Sequence, residues 1–179
     1  MPITSGRSAR DDVPAQAEDI TRDFRRIMRG MAQSVSLVTT SDQEGNPYGM
    51  AASAVISVSM DPPSMCVAVN RSASIHPILA TSKSFCVNLL RAGQTDLVSA
   101  FSRADRRHMR FASGTWLWAH GLPYLESALG AVFCESRASV DFGTHTLHVG
   151  AVIGLADLGT GSPLVWHDGG YACLNRAAN

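Results

Sequence analysis

The sequence has no apolar run of 18 residues, and it has few charged residues for its length. No membrane-spanning helix is therefore predicted. Charged side chains make up 17% of the 179 residues, and 15 Lys and Arg balance 15 Asp and Glu, which gives a formal net charge of zero. This balance argues against the basic surface that binds nucleic acid or anionic membranes. It leaves neutral surface that suits a subunit interface.

Cysteine is also scarce, and its spacing is not that of a zinc site. Four cysteines lie in apolar runs without any CxxC pair, namely Cys66, Cys86, Cys134 and Cys173. They predict small buried thiols in a reducing compartment rather than a disulfide framework. The six histidines show no metal-ligand spacing. Residues 1–13 contain no apolar segment, so no secretory signal is predicted and a cytoplasmic location is expected.

Periodicity predicts one folded domain with few helices and many short strands. Residues 1–17 are expected to be a disordered tail, followed by a folded domain over residues 18–179. Helices are expected at about 19–32, after Ser74 (a candidate cap) and from Thr95, with a loop around the tryptophans near residue 117. Strands are expected at 35–40, 54–60, 65–69, 84–90, 131–140, 145–157, 163–166 and 171–174. This pattern predicts a mainly β protein, a β-barrel with peripheral helices.

The most informative segment runs from Gly49 to Pro63. Its first half contains short side chains that allow a flat ligand to approach the backbone closely. Its second half alternates as a strand does, and Asp61-Pro62-Pro63 ends it because proline lacks an N–H group. Taken alone, the pattern favours close packing in an ordinary strand over a ligand site.

The order of residues in this segment resembles the Gly-Met-Thr-Ala-Ser-Ser-Phe…Ser-Val-Ser-x-Asp-Pro-Pro signature of the flavin reductase-like family. Further matches follow in order over residues 20–175. They are the stretch from 24–26 through 38–40, then 69–72, 84–90, 110–111, 143–150, 163–166 and Tyr171. The resemblance implies a split β-barrel of the FMN-binding type. It also implies a homodimer that binds flavin near the subunit interface, and a reductase that supplies reduced flavin to a two-component monooxygenase.

The resemblance implies which residues contact the flavin. Isoalloxazine contacts fall on Met50, Ala51, Ala52, Ser53, Ala54, Ser57, Val58 and Ser59, with Ala51 where threonine is common. Ribityl phosphate contacts fall on Asn70, Arg71, Ser72 and Ser74. Amide, hydroxyl and guanidinium donors after a predicted strand suit a phosphate, although a polar turn with a helix cap has the same pattern. Phe101, Ser102, Arg110 and Tyr171 lie where relatives also approach the cofactor.

His145 begins a predicted strand after the turn 141–144. A lone histidine at a strand start is most often a surface residue. By resemblance, however, it matches the histidine of the family's Gly-Asp-His motif, which lies near the nicotinamide dinucleotide and would orient the nicotinamide. Thr144 stands in place of the acid, so a carboxylate–imidazole pair is not expected here.

The implied reaction is hydride transfer from NADH or NADPH to FMN or FAD, after which reduced flavin leaves for a separate flavin-dependent oxygenase. The sequence has no GxSxG, P-loop or GxGxxG motif. That absence fits chemistry carried by a cofactor, because the protein need only hold the two reacting atoms about 3–3.5 Å apart. Two alternatives remain open: a reductase of a corrinoid or ferric complex, and a non-catalytic flavin- or haem-binding split-barrel protein. The residues do not decide FMN against FAD, or NADH against NADPH.

Overall fold

The computed structural model describes residues 13–157, 159–172 and 174. Within these residues the chain forms three α-helices, α1 (Val13–Arg29), α2 (His76–Thr81) and α3 (Thr95–Ser102), and a 3-10 helix (Ala104–Met109). The strands are β1 (Gln33–Ser34), β2 (Ser36–Ser41), β3 (Pro47–Ala52), β4 (Val55–Met60), β5 (Pro63–Asn70), β6 (Ser84–Leu89), β7 (Trp116–Ala119), β8 (Leu122–Leu125), β9 (Gly130–Phe142), β10 (His145–Asp157), β11 (Val165–His167) and β12 (Gly170–Ala172).

Seven strands form one antiparallel sheet in the order β3-β2-β6-β9-β10-β5-β4. The two edge strands, β3 and β4, are consecutive in the chain, and only Ser53 and Ala54 separate them. A sheet whose opposite edges are joined by two residues must curl round on itself. The prediction of a mainly β, split-barrel fold with peripheral helices is confirmed, and the split lies between β3 and β4.

The core lies on both faces of the sheet. Strand β2 is buried at five consecutive positions, because its alternate side chains enter two different clusters. Val38 packs with Phe85 inside the curl of the sheet. Leu37 packs with Phe101 of α3 on the other face. This second cluster fixes α3 against β3, and that contact shapes the site described below.

A buried asparagine ties three strands together. The Asn88 Nδ2 atom donates to the carbonyl oxygen of Leu37 at 3.1 Å, and Oδ1 accepts from the N–H of Leu125 at 2.8 Å. Asn88 is fully buried, so each of these bonds replaces one to water.

Several predicted boundaries need correction. Helix α1 begins at Val13 and ends at Arg29, not at 19 and 32, so residues 13–17 of the predicted tail are helical. Residues 1–12 lie outside the described residues. The apolar side chains of Ile20, Phe24 and Ile27 in α1 are exposed in the single chain. Cys86 and Cys134 are buried free thiols, as predicted, and Cys66 is half-buried; Cys173 lies outside the described residues.

The predicted tryptophan loop is wrong, because β7 and β8 form a hairpin there. Its two turn residues, His120 and Gly121, have φ values of 52° and 72°. Two consecutive positive values are the geometry that joins antiparallel strands most tightly. Within the described part of the chain, no helix has the length and apolar character needed to cross a membrane.

Candidate functional site

A cavity of about 570 Å³ lies beside the junction of β3 and β4. We call it the large cavity. It is lined by β3, α3 and the small β11–β12 hairpin, through Val35, Ala51, Ala52, Ser53, Thr95, Asp96, Val98, Ser99, Ser102, Trp166 and Tyr171. Small side chains on β3 and hydroxyls on α3 therefore surround one space.

Two aromatic side chains form one wall of the large cavity. Trp166 and Tyr171 are cross-strand partners in β11 and β12, and their rings meet edge-on with centroids 5.2 Å apart. Directly opposed side chains on antiparallel strands stand side by side. Both rings are partly exposed, and partial burial raises the pKa of the Tyr171 hydroxyl. They give the cavity an aromatic wall whose two rings each have an apolar face and a polar group.

A second cavity, of about 290 Å³, continues from the first. It shares Ala51 and Ser102 with the large cavity, so the two are contiguous. Its lining consists of hydroxyls, guanidinium groups and apolar groups, from Met50, Ala51, Ser72, Ala73, Ser74, Phe101, Ser102, Ala104, Arg107 and Arg110. We call it the arginine cavity. It combines cationic groups with hydroxyl donors, and no acidic side chain of the described residues lines it.

Ser72 is held in the arginine cavity by Asn70. The Asn70 Oδ1 atom accepts hydrogen bonds from the Ser72 backbone N–H at 2.9 Å and from its hydroxyl at 2.8 Å. This is a local side-chain turn of the kind that asparagine favours. Asn70 therefore orients Ser72 and does not itself line the cavity.

Ser74 has a different role from the predicted helix cap. Helix α2 starts after Ile75, and no side chain among the described residues caps it. The Ser74 hydroxyl instead accepts a bond of 3.3 Å from the Arg110 guanidinium. The cap prediction was wrong because a tertiary partner, Arg110, lies within reach of the hydroxyl.

Arg110 is fixed by its neighbours on three sides. Its guanidinium also donates to the carbonyl oxygens of Gly49 at 2.7 Å and Ala100 at 3.3 Å, and it lies 5.9 Å from the centroid of the Phe101 ring. Burial, and then the positive charge of Arg107, lower the pKa of Arg110 from its usual value. The close fit depends on Gly49, since a Cβ there would lie 2.5 Å from a Phe101 ring atom.

His145 lies at the start of β10, directly across the sheet from Asn70. Its Nδ1 atom is hydrogen-bonded to the hydroxyl of Thr144 at 2.9 Å. The threonine that replaces the expected acid therefore still supplies a partner for the imidazole. Because β10 and β5 are paired here, the turn that carries His145 lies beside the 70–72 segment.

The two cavities collect only part of the predicted residues. Those that line them are Met50, Ala51, Ala52, Ser53, Ser72, Ser74, Phe101, Ser102, Arg110 and Tyr171. Those that do not are Ala54, Ser57, Val58, Ser59, Asn70, Arg71 and His145. The hydroxyl of Ser59 is occupied in the β4–β5 turn, where it accepts from the N–H of Asp61 and donates to its carbonyl.

Several lining residues were not predicted: Val35, Thr95, Asp96, Val98, Ser99, Ala73, Ala104, Trp166 and Arg107. A signal existed for part of α3, because Thr95, Ser99 and Ser102 recur at helical spacing and form a hydroxyl stripe. No local signal pointed to Arg107 over the other arginines near it. Across residues 13–157, 159–172 and 174, no group of three or more His, Cys, Asp or Glu side chains is placed to hold a metal ion.

Comparison with known proteins places this geometry in a family. Residues 28–175 match the family described as flavin reductase like domain. The chain is 34% identical, over 89% of its length and 90% of the relative's, to the reductase component of the FADH(2)-dependent resorcinol hydroxylase of a Rhizobium species, strain MTP-10005. It is 36% identical, over 87% of its length and 94% of the relative's, to the FMN reductase (NADH) RutF of Escherichia coli O45:K1.

A solved structure agrees in fold. BorF, the flavin reductase component of a bacterial two-component tryptophan halogenase, superposes with a TM-score of 0.79 at 28% identity, covering 88% of this chain and 99% of that one. The sequence match extends over most of the chain and includes the strands and helices that line both cavities. The chain therefore belongs to the flavin reductase like domain family.

Proposed function

We propose that this chain is an NADH- or NADPH-dependent flavin reductase that supplies reduced flavin to a separate oxygenase. The observation that carries the proposal is the contiguity of the large cavity and the arginine cavity through Ala51 and Ser102. A flavin joins a flat, amphipathic ring system to a phosphate. It therefore needs two adjoining spaces of these different characters.

The large cavity suits the ring system. Its volume lies within the usual range of small-molecule sites, about 300–1,000 Å³. Ala51 and Ala52 allow close approach, and Trp166 and Tyr171 offer flat surfaces. Strands β3 and β4 are edges of the sheet, so each has one side whose backbone donors and acceptors no neighbouring strand of that sheet pairs with. Such groups are available to the polar rim of an isoalloxazine.

The arginine cavity suits the phosphate. Ser72 and Ser74 supply hydroxyl groups, and Arg107 and Arg110 supply guanidinium groups. Charge-assisted hydrogen bonds from these groups to phosphate are about twice as strong as neutral ones. Because the described lining contains no acidic side chain, none competes with the phosphate for the arginines.

When bound, the flavin supplies the electron-accepting chemistry for a hydride from the nicotinamide. The residues of this chain bind the flavin and the dinucleotide and orient them. His145, held through Nδ1 by Thr144, keeps its other ring nitrogen available for the dinucleotide. No side chain is required to act as a nucleophile, so catalysis rests on positioning.

The exposure of the large cavity to solvent supports release of reduced flavin to an oxygenase. Trp166 and Tyr171 are 38% and 44% exposed. A flavin bound beside them would be reachable from solvent and could leave after reduction. The relatives named above as components of the resorcinol hydroxylase and the tryptophan halogenase support a partner of the oxygenase class.

We also propose a homodimer. Large apolar side chains are exposed along β4 and β10, among them Met60 at 78% and Leu155 at 72%. No charged residue occurs in β4, and the whole chain has no net charge. A neutral apolar face is suited to self-association, since two copies neither repel each other nor need a charged partner. The free thiols Cys66, Cys86 and Cys134 support a reducing, cytoplasmic location.

The reductase proposal is tested by NADH and NADPH oxidation that depends on added FMN or FAD. In Ser72→Ala the flavin KM should rise about tenfold or more while kcat changes less, because a hydrogen bond to a charged group contributes about 1.5–3 kcal/mol. Asn70→Ala should also raise the flavin KM, because Ser72 loses the side chain that orients it. Ser59→Ala is the matched control, since that hydroxyl serves the Asp61 turn. Nucleotide oxidation that does not depend on flavin, or its complete absence, would contradict the proposal.

A further inference from the structure

A third cavity, of about 210 Å³, continues from the arginine cavity on the side away from the large cavity. We call it the tyrosine cavity. It shares Ser74, Arg107 and Arg110 with the arginine cavity, and Tyr48 and Phe111 line it further along. The three cavities thus form a series in which each shares lining residues with the next.

The two shared arginines carry more positive charge than their protein surroundings balance. Nearby Arg103 is paired with Asp105 at 2.9 Å, and Arg106 donates to the hydroxyl of Ser99 at 3.0 Å. The guanidinium of Arg107 has no hydrogen bond or ion pair to any described residue. In the described part of the chain, no acidic side chain lines the tyrosine cavity either. Adjacent cations without a counter-charge indicate a ligand that carries more than one negative charge.

The aromatic walls of the tyrosine cavity are held in place. The hydroxyl of Tyr48 is hydrogen-bonded to Asp42, which raises the pKa of Tyr48. The ring of Phe111 packs edge-on against Trp116 and Phe101, with centroid distances of 4.8 Å and 5.2 Å. Fixed aromatic rings offer faces on which a nucleobase of any identity can stack.

We propose that the tyrosine cavity binds the adenosine end of FAD, with Arg107 and Arg110 bridging its diphosphate. The proposal rests on the flavin reductase function proposed above and extends it to the choice of flavin. FMN ends at its single phosphate, which the arginine cavity holds, and it leaves Tyr48 and Phe111 without a ligand. FAD continues past the arginines, and the chain therefore prefers FAD.

The test is the ratio of the dissociation constants of FMN and FAD, measured by titration calorimetry on the full chain without any nicotinamide nucleotide. We expect wild-type protein to bind FAD at least tenfold more tightly than FMN. Tyr48→Ala should bring the ratio close to one by weakening FAD alone. Arg107 is exposed, so Arg107→Gln does not put folding at risk. This substitution should weaken the binding of FAD more than that of FMN and lower the ratio several-fold.

Arg106→Gln is the matched control, because Arg106 lies next to Arg107 in the chain and lines neither cavity. Its ratio should equal that of wild type. Equal binding of FMN and FAD by wild type overturns this proposal but leaves the reductase function standing, whereas binding of neither flavin overturns the reductase function. If Tyr48→Ala and Arg107→Gln leave the ratio unchanged and instead raise the KM for NADH, the tyrosine cavity belongs to the nicotinamide dinucleotide, and the FAD assignment is wrong.

Discussion

The guanidinium of Arg71 donates a hydrogen bond to the carbonyl oxygen of Gly143, 72 residues away in the sequence. The backbone N–H of Arg71 also donates to the carbonyl of Thr144 at 3.0 Å. These two bonds join the Asn70–Ser72 segment to the turn that carries His145. The proposed phosphate site and the proposed nicotinamide site are therefore held in register by one residue.

Arg71→Gln tests whether this residue positions the turn or binds flavin phosphate. Loss of the charge-assisted bond to Gly143 should raise the KM for NADH about tenfold, while the flavin dissociation constant stays within about twofold of wild type. Steady-state kinetics and flavin titration measure the two effects separately. Arg137→Gln, which removes an exposed arginine paired with Glu135, should change neither. Weaker flavin binding with an unchanged KM for NADH would mean that Arg71 binds the flavin phosphate instead.

Thr144→Val tests the hydrogen bond to His145. A neutral bond of this kind contributes about 0.5–1.5 kcal/mol, so the KM for NADH should rise or kcat fall by about two- to tenfold. His145→Ala should cost more, about ten- to a hundredfold, because it removes the imidazole itself. Thr144→Ser keeps the hydroxyl and should restore near wild-type kinetics. A serine variant as impaired as the valine variant would mean that the hydroxyl is not what matters.

Gly49→Ala should disturb both stability and the arginine cavity. The new Cβ would overlap the buried Phe101 ring, and overpacking of this kind costs about 1–3 kcal/mol. Flavin should also bind more weakly, because the Gly49 carbonyl holds Arg110. Denaturant unfolding and flavin titration measure both effects. Gly170→Ala is the control, since a Cβ there meets nothing closer than 4.0 Å; equal stability of the two variants would contradict the prediction.

His148 should make the folded state less stable in acid. Burial, and then the nearby charge of His76, lower its pKa from 6.5, while Asp141 opposes them. Its Nε2 atom has no hydrogen-bond partner in the described structure. The unfolded chain therefore binds more protons, and the free energy of unfolding should fall as the pH drops below about 6.5.

The check is the free energy of unfolding of wild type and His148→Phe between pH 7.5 and 5.5. The phenylalanine variant should show a smaller decrease, because it has no proton to take up on unfolding. His167→Gln, at an exposed position, should behave as wild type. Parallel pH profiles for wild type and His148→Phe would show that other groups govern acid stability.

Ile56→Glu tests the proposed dimer. Ile56 is exposed on the edge strand β4, and a charge there would be buried twice in a symmetric interface. Light scattering at micromolar concentration should find a dimer for wild type and more monomer for the variant. Gln43→Glu adds the same charge in an exposed turn and should remain dimeric. A wild-type monomer that still reduces flavin would defeat the prediction.

The sequence alone was sufficient for the family and for most of the strands. Both signals are local: the alternation from Val55 to Met60 is visible within a few residues, and the Gly49–Pro63 segment resembles the family signature along one stretch of chain. The His120-Gly121 turn was also readable, because glycine after a residue that can adopt positive φ is a hairpin signal, yet the tryptophans around it were interpreted as a loop.

The site was decided by the tertiary structure. Ser53 lies at the split because the sheet curls until its first and last strands in spatial order meet. The partners of Arg71 and Ser74 are distant in sequence, and no local pattern distinguishes an arginine that binds a carbonyl from one that faces a cavity. Arg106 and Arg107 are adjacent in sequence, yet Arg106 donates to Ser99 whereas Arg107 lines the arginine cavity. The physical reason is that secondary structure follows from short-range periodicity, whereas the neighbours of a polar side chain are set by how the strands and helices pack.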